Sequence, residues 1–568
     1  MKVITEKTID VDFAVVGGGL AGLLAAVAAA RNGTKTVIVQ DRPMFGGNSS
    51  SEIRMWICGA QGENRKETGL LEELELDNLH FNPTLKYTLW DDVMYSFAKQ
   101  EKNLTMLLNT TVESVQTENN RIVSISAWNL NSYTRYHIEA AIFADCSGDG
   151  ILRLSGAPFA MGREASATYN ESYAPATADA KTMGSSILMQ LRKTNVHRPF
   201  IPPPWAYKYT DETVPPRDYT MSQWQNFWWL EFGGVKDTIA DADEIRDELY
   251  KMAYGVWAYM KNHPNGKLRD WELDWIGSLP GKRESVRFIG DVILTQQDIE
   301  AGGNYPDTVC YGGWTMDDHH PEAFNHFGAP NIFHPAPSPF GIPLGALYSS
   351  KIENLMFAGR HISVSHMGLS SIRVMGTTAL MGQAVGTAAA LAIRYNATPR
   401  AVRNEHIAEL QQLLMEQDIF LPGFTRKHNA LTQRATPSSP VLMDGFERDW
   451  DDGPHAASVR PGESVSLTFA SPETISGTRI VFDSDLNDNK RMRNIESNEP
   501  RSMPAPLARD FKVEVLTDKG YVPVATISGN YHRLVRLSWP PTIGTELKLT
   551  ILKGWSDAPC RIFALDAE

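Results

Sequence analysis

Six residues near the amino terminus, Gly17-Gly18-Gly19-Leu20-Ala21-Gly22, have a spacing suited to holding a pyrophosphate. They spell G-x-G-x-x-G directly after an apolar strand, Phe13 to Val16, and directly before a helix from about Leu20 to Asn32. In that context the first glycine permits a tight turn and the second lets the backbone approach phosphate oxygens. The third allows close helix–strand packing, and the helix start adds free N–H groups and partial positive charge. A dinucleotide also needs a partner for its ribose at the end of the next strand, about 20 residues on. Thr36 to Val39 is that strand, and it runs into Gln40-Asp41 where an acid is the usual residue. The Gln40 amide or the Asp41 carboxylate is therefore the expected ribose partner.

Proton-handling and cationic residues gather far along the chain. Arg360-His361, His366 and Arg373 precede a small-residue helix expected from Thr377 to Ala392. Imidazole titrates near neutrality and suits acid/base work, while a guanidinium can clamp a carboxylate or stabilise a developing anion. Each histidine reads equally well as a backbone-bonded residue of a buried loop. Lys282-Arg283-Glu284-Ser285, with Arg287, is either a substrate-facing cluster or a solvated strand with paired charges. Arg54 is a further candidate cation. Asp317-Asp318-His319-His320 has ligand-type residues without partners at metal-site spacing, and no metal is expected. Trp228-Trp229-Leu230-Glu231 and Gly312-Gly313-Trp314 pair aromatic rings with polar groups, as carbohydrate sites do; core packing is the alternative.

Three more segments carry a family resemblance. Gly46-Gly47-Asn48-Ser49-Ser50 resembles the loop that runs past the flavin in glutathione-reductase-type FAD enzymes. Ala144-Asp145-Cys146-Ser147-Gly148-Asp149-Gly150 resembles the element at which a strand of those proteins returns to FAD. Asn354-Leu355-Met356-Phe357-Ala358-Gly359-Arg360 resembles their last FAD-contacting strand. With the glycine turn, these make four segments in the right order. Over about residues 10–420 the chain resembles the bacterial FAD-dependent oxidoreductases.

The resemblance implies FAD as cofactor. It would be held by Gly17, Gly19, Leu20, Ala21, Gly22, Gln40, Asp41, Gly46, Gly47, Asn48, Ser49, Ser50, Val112, Asp145, Gly148, Asp149, Gly359, Arg360, Gly376, Thr377 and Thr378. It implies an enzyme passing hydride between flavin and a polar small molecule. His361 or His366 would act as acid/base, and Arg373, Arg283 and Arg54 would orient substrate. A saccharide or polyol is the leading substrate. The alternatives are an enoate reductase or dehydrogenase of the fumarate-reductase kind, or a glycan-binding or glycan-cleaving protein whose flavin does no redox chemistry. The electron acceptor and oligomeric state are left open.

The strand–turn–helix–strand order calls for an α/β fold; the resemblance implies a glutathione-reductase-type FAD-binding Rossmann domain, with an inserted α+β substrate domain and a C-terminal β-sandwich expected beside it. The expected boundaries are 1–165 and 341–425 for the FAD-binding domain with its helical extension, 166–340 for the insert and 440–568 for the sandwich. The insert contains Pro202-Pro203-Pro204-Trp205, Trp224, Trp228 and Trp229. Its amphipathic helix, about Ala242 to His263, spaces Ile245, Leu249, Met252, Val256, Trp257 and Met260 three to four apart. A helix is expected from Pro399 to Gln417 and a linker from Thr425 to Pro440. Beyond it Val465-Leu467-Phe469, Phe511-Val513-Val515 and Leu547-Leu549-Ile551 alternate apolar with polar, as strands do.

With 568 residues, 42% of them hydrophobic, the chain can bury several cores. Its 54 Lys and Arg against 67 Asp and Glu give a net charge of −13, which argues against a broad nucleic-acid or anionic-membrane surface. The run Phe13 to Ala30 has signal-peptide apolarity but is explained by the strand, turn and helix, and no membrane span is expected. Four scattered cysteines point to the cytoplasm, or to the periplasm if a leader has been removed.

Overall fold

The computed structural model describes residues 4–568 except Gln223, Trp224, Asn265, Lys267, Arg493, Ile495 and Glu496. Trp224, one of the tryptophans noted in the insert, thus lies outside the described residues. The chain divides into two compact units. The first comprises residues 1–60, 85–410 and 491–498; the second comprises 61–84, 411–490 and 499–568.

The first unit is built on a seven-stranded sheet. Six strands are β1 (Thr5–Val16), β2 (Thr36–Val39), β3 (Leu104–Leu107), β4 (Thr110–Glu118), β5 (Arg121–Asn129) and β6 (Thr134–Asp145), in the order β3-β2-β1-β6-β5-β4. β3, β2, β1 and β6 run parallel, whereas β4, β5 and the first half of β6 form an antiparallel meander. The last residues of β6 pair in parallel with the strand Leu355–Phe357, so a segment 210 residues distant returns to the sheet beside the glycine turn.

The helix Leu20–Arg31 is buried on nearly every face because a second helix, Met375–Arg394, lies against it. Small residues make that contact possible. A Cβ on Gly382 would sit 2.0 Å from the Ala21 carbonyl oxygen, and one on Gly386 2.1 Å from that of Ala25. The second helix begins two residues before the expected Thr377. It is long and apolar enough to cross a membrane, contrary to the sequence expectation, but 94% of its apolar window is buried in the protein.

The inserted segment belongs to this same unit. Its helix Ala242–Asn262 buries the expected stripe of Ile245, Leu249, Met252, Val256, Trp257 and Met260 against Phe227, Trp229 and Phe324. Downstream, the helix expected over Pro399–Gln417 is two helices, Pro399–Glu405 and Ile407–Glu416. The break is at His406, whose φ of −127° leaves the helical region and whose ring stacks on Tyr395 at 3.9 Å.

The second unit is an antiparallel sheet of seven strands with the expected alternation. Val465, Leu467, Phe469, Phe511, Val513, Val515, Leu547, Leu549 and Ile551 are all buried. Its longest strands, Ser464–Phe482 and Leu534–Gly554, slip register near residues 468–477, so one strand serves two stretches of pairing. The expected linker is instead part of this unit. Ala435–Pro437 pairs with the strand Ser464–Phe482, and the Asn429 and Thr432 side chains donate to the Ala567 carbonyl. Residues 61–84, expected in the FAD-binding domain, also belong here. Lys66 bridges Glu72 (2.5 Å) and Glu75 (2.6 Å), and buried Lys490 reaches Glu72 at 3.1 Å.

Candidate functional site

A single cavity of about 1010 Å³ in the first unit is lined both by Gly17–Ala21 and by Gly359, Arg360 and Arg373–Met375. The two stretches the sequence reading requires to meet do so. At the glycine turn, Gly17 has φ +102°, and a Cβ there would lie 2.5 Å from the Cys146 carbonyl group; one on Gly22 would lie 1.8 Å from the Gly17 carbonyl oxygen. Both glycines let β1, β6 and the helix come together. A Cβ on Gly19 would meet nothing within 4 Å, because that residue faces the cavity. Gly19 offers no side-chain cap, so the first N–H groups of the helix Leu20–Arg31 are open to an anion.

Gln40 lines the cavity, but its amide is already engaged. Oε1 accepts from the Gly18 N–H at 2.7 Å and Nε2 donates to the Met44 carbonyl at 3.1 Å. These bonds brace the turn and leave the second Nε2–H of the amide beside the cavity. Asp41, half exposed beside Arg42, keeps its carboxylate in the same wall, with Thr110, Thr111 and Val112 across from the strand end.

Toward the middle, Gly46, Gly47, Asn48, Ser50, Gly148 and Asp149 line the cavity. Asp149 bridges Lys282 Nζ (2.7 Å) and Arg360 Nη2 (3.0 Å). Burial would raise its carboxyl, but those two cations outweigh burial and hold it below the ordinary carboxylate range. Gly22, Asp145, Ser49, Gly376 and Thr377, expected cofactor contacts, do not reach the wall. Asp145 is wholly buried and accepts from Ser147 N–H, Leu152 N–H and His361 Nε2 (2.9 Å). It shapes the loop that presents Gly148 and Asp149. Ser49 turns back onto the Gly46 carbonyl, while Gly376 and Thr377 are buried in the helix behind Val374, Met375 and Thr378.

The catalytic expectations need larger correction. His361 is fully buried against Asp145, and His366 lies between Glu284 (3.0 Å) and Asp318 (3.3 Å); neither lines the cavity. Burial disfavours the His366 cation, yet Glu284 and Asp318 together push the imidazole up to about 9, so it is a structural cation at neutral pH. Arg54 is turned away as well. Its guanidinium bonds Gln190 and stacks 4.3 Å from the Trp275 ring. Of the expected polar groups, Arg283 and Arg373 do face the cavity.

What the sequence reading missed is that three groups link them. Glu231 and His319 complete a chain running Arg283, Glu231, His319, Asp317, Arg373, with contacts of 3.4, 2.6, 3.3 and 3.0 Å. Local folding explains it. Glu231–Phe232 and Gly281–Lys282 flank Ser185–Ser186 in one small sheet, which brings Arg283 beside Glu231. Asp317 and His319 are two apart on the strand Met316–His319 and share a face, while Asp318 points the other way to His366. Glu231 is 1% exposed; burial would raise its carboxyl, but Arg283 and His319 hold it below the usual range. Asp317 is held far lower still, against burial, by His319 and Arg373. Trp56, Trp228, Trp314 and Phe333 line the same end, as does Cys58, whose thiol burial pushes up and keeps neutral.

The residues present fit a dinucleotide flavin. Space opens at Gly19 and the helix start is uncapped. Arg360 Nε, Arg373 Nε and Trp314 Nε1 are buried donors without a protein partner. No comparable case exists for a metal at His320, Glu322 and His326. Their ligand atoms lie within 4.8 Å of one another, but the two rings stack face to face at 3.7 Å, so their in-plane lone pairs do not converge.

Among solved structures, a geranylgeranyl bacteriochlorophyll reductase-like protein from Thermoplasma acidophilum aligns with 12% identity over 73% of this chain and 85% of its own, with a TM-score of 0.34. A family 32 carbohydrate-binding module from Streptococcus pneumoniae EndoD aligns with 12% identity over 24% of this chain and 97% of its own, TM-score 0.19. The family 32 module of C. perfringens NanJ in complex with galactose aligns with 13% identity over 24% and 95%, TM-score 0.17. No curated protein matches the sequence. Residues 12–414, most of the chain and all of the cavity wall except Arg491, match the family model described as FAD dependent oxidoreductase, and the chain belongs to that family.

Proposed function

We propose that this FAD-dependent oxidoreductase holds its flavin in the glutathione-reductase manner and oxidises a hydroxyl of a neutral, polyhydroxylated small molecule, a saccharide or polyol. The parallel return of Leu355–Phe357 to β6, leading straight to Gly359 and Arg360 in the cavity wall, supports the first part. One observation carries the second. Arg283 and Arg373, the cations that would clamp a carboxylate substrate, are each already paired with a buried carboxylate, Glu231 and Asp317. The paired groups present hydrogen-bonding edges without surplus charge, beside three tryptophan rings on which sugar C–H faces can stack.

FAD, when bound, supplies a two-electron hydride acceptor. The chain supplies the rest. The helix start at Gly19–Ala21 faces the pyrophosphate, and Lys282 and Arg360 add positive charge near Asp149. Trp56, Trp228 and Trp314 exclude water and orient the substrate ring. We propose a reducing compartment, the cytoplasm, on the strength of four buried free cysteines.

The test is anaerobic. Holoprotein is mixed with a panel of aldoses and sugar alcohols, and separately with succinate and other dicarboxylates, while flavin absorbance near ~450 nm is followed. Bleaching by a saccharide or polyol supports the reading. Bleaching by dicarboxylates alone would replace it with the carboxylic-acid dehydrogenase reading.

A further inference from the structure

We propose that Phe333 and Asn331 form a second sugar subsite at the mouth of the cavity. The preferred substrate is then a disaccharide or longer saccharide, its reacting unit inside and its next unit on the Phe333 ring. The proposal rests on the saccharide reading above and narrows it. Its basis is the hairpin formed by Met316–His319 and Asn331–His334. The register sets Phe333 directly across from Asp317 and Asn331 across from His319, with paired β-carbons about 5 Å apart. Alternation then sorts the outer strand. Asn331 and Phe333 line the cavity with Asp317 and His319. Ile332 falls on the other face, across from Asp318, and His334 stacks on Tyr173 at 3.8 Å.

The two strands offer a ligand different things. Asp317 and His319 are occupied by Arg373, by Glu231 and by each other. Asn331 donates through Nδ2 to Asp317, and among the described residues nothing donates to its Oδ1, so an amide acceptor stays open to the cavity. Phe333 is 60% exposed, whereas Trp56 in the same wall is 8% exposed. A lone exposed ring on an open surface calls for no ligand. This one borders a cavity, shares a strand face with a free acceptor, and stands farther out than the tryptophans that would hold the first sugar. Two residues along a strand cover about 7 Å, so one further sugar unit can reach both the amide and the ring. A pyranose suits the pair: a C–H face stacks on the phenyl ring and a hydroxyl donates to Oδ1. An ionised dicarboxylate has no proton to give Oδ1 and no apolar face for the ring.

The experiment uses the FAD-loaded enzyme. Stopped-flow reduction by glucose, galactose and mannose is compared with reduction by cellobiose, maltose, lactose and mannobiose, and each half-saturation concentration is read apart from the limiting rate. In the wild type at least one disaccharide should half-saturate about threefold or more below its monosaccharide. Phe333→Ala should raise that disaccharide's value roughly three- to tenfold more than the monosaccharide's. Ile332→Ala, on the other face of the same strand, should leave the ratio of the two unchanged, which separates a subsite from general loosening of the hairpin. Equal effects of Phe333→Ala on both sugars, or no advantage for any disaccharide, overturn the proposal while the saccharide reading stands. If no sugar bleaches the flavin, calorimetric titration of the oxidised holoprotein with the same panel decides. Disaccharide binding that Phe333→Ala weakens keeps the subsite although the oxidation reading fails, and absence of disaccharide binding overturns both.

Discussion

His366 gives the sharpest test of the charge network behind the cavity. Its ring meets Glu284 at 3.0 Å and Asp318 at 3.3 Å, and its backbone N–H donates to Glu164. Arg287 bridges Glu164 and Glu284, and Glu171 and Arg163 complete the surrounding charges. These groups push the imidazole from 6.5 up to about 9. Binding a proton about 2.5 pH units more tightly when folded is worth about 3 kcal/mol. The sign follows from a folded value above the unfolded one. The contribution is complete below pH 6.5, falls by about 1.4 kcal/mol per pH unit above it, and is gone once pH passes about 9. Urea unfolding of the holoprotein at saturating FAD, followed by the fluorescence of released flavin, reads this directly. Between pH 6 and 9.5 the wild type should lose about 3 kcal/mol more than His366→Asn, which has no proton to lose. Parallel pH curves for the two proteins would refute the claim that the imidazole is a buried cation.

Two glycines should respond oppositely to the same methyl group. Gly19→Ala places its Cβ where the protein has nothing within 4 Å, at φ −62°, which alanine adopts freely. The apoprotein should melt as the wild type does while FAD affinity, measured by fluorescence quenching, falls at least about tenfold (roughly 1.4 kcal/mol). Undiminished affinity would mean that no phosphate lies there. Gly386→Ala places its Cβ 2.1 Å from the Ala25 carbonyl oxygen, so the two core helices must separate. Overpacking of this kind costs about 1–3 kcal/mol and should lower the melting temperature seen by circular dichroism; an unchanged melt would show that the helices have room to spare.

The cofactor side was legible because its physics is local. The turn at Gly17 needs a left-handed residue, Gly22 must clear a carbonyl, and Phe13–Val16 and Thr36–Val39 must be apolar to lie inside a parallel sheet. Those demands are written in consecutive residues. Gln40 shows the limit of such reading. Its position promises a ribose contact, but that the same amide also braces the turn depends on where Met44 returns, which spacing does not encode. Asp145 and the 61–84 segment mislead for the same reason, since their partners come from His361 and Lys490, far away in sequence.

The substrate side was harder because its residues owe their meeting to three separate short strands. Asp317-Asp318-His319-His320 looked like stray metal ligands when read as a run. Read as a strand, alternate residues part: Asp317 and His319 go to the cavity, and Asp318 goes to His366. Only then does the charge count become informative. Glu231 and Asp317 each have an arginine beside them, and the sequence reading, which noted all four, assigned the arginines to substrate and did not pair them. A cation in an active-site loop reads as a ligand for an anionic substrate until its neutralising partner is found, and here both partners arrive from elsewhere in the chain. That pairing turns two expected substrate clamps into the fixed ends of a chain that holds His319 between two buried carboxylates.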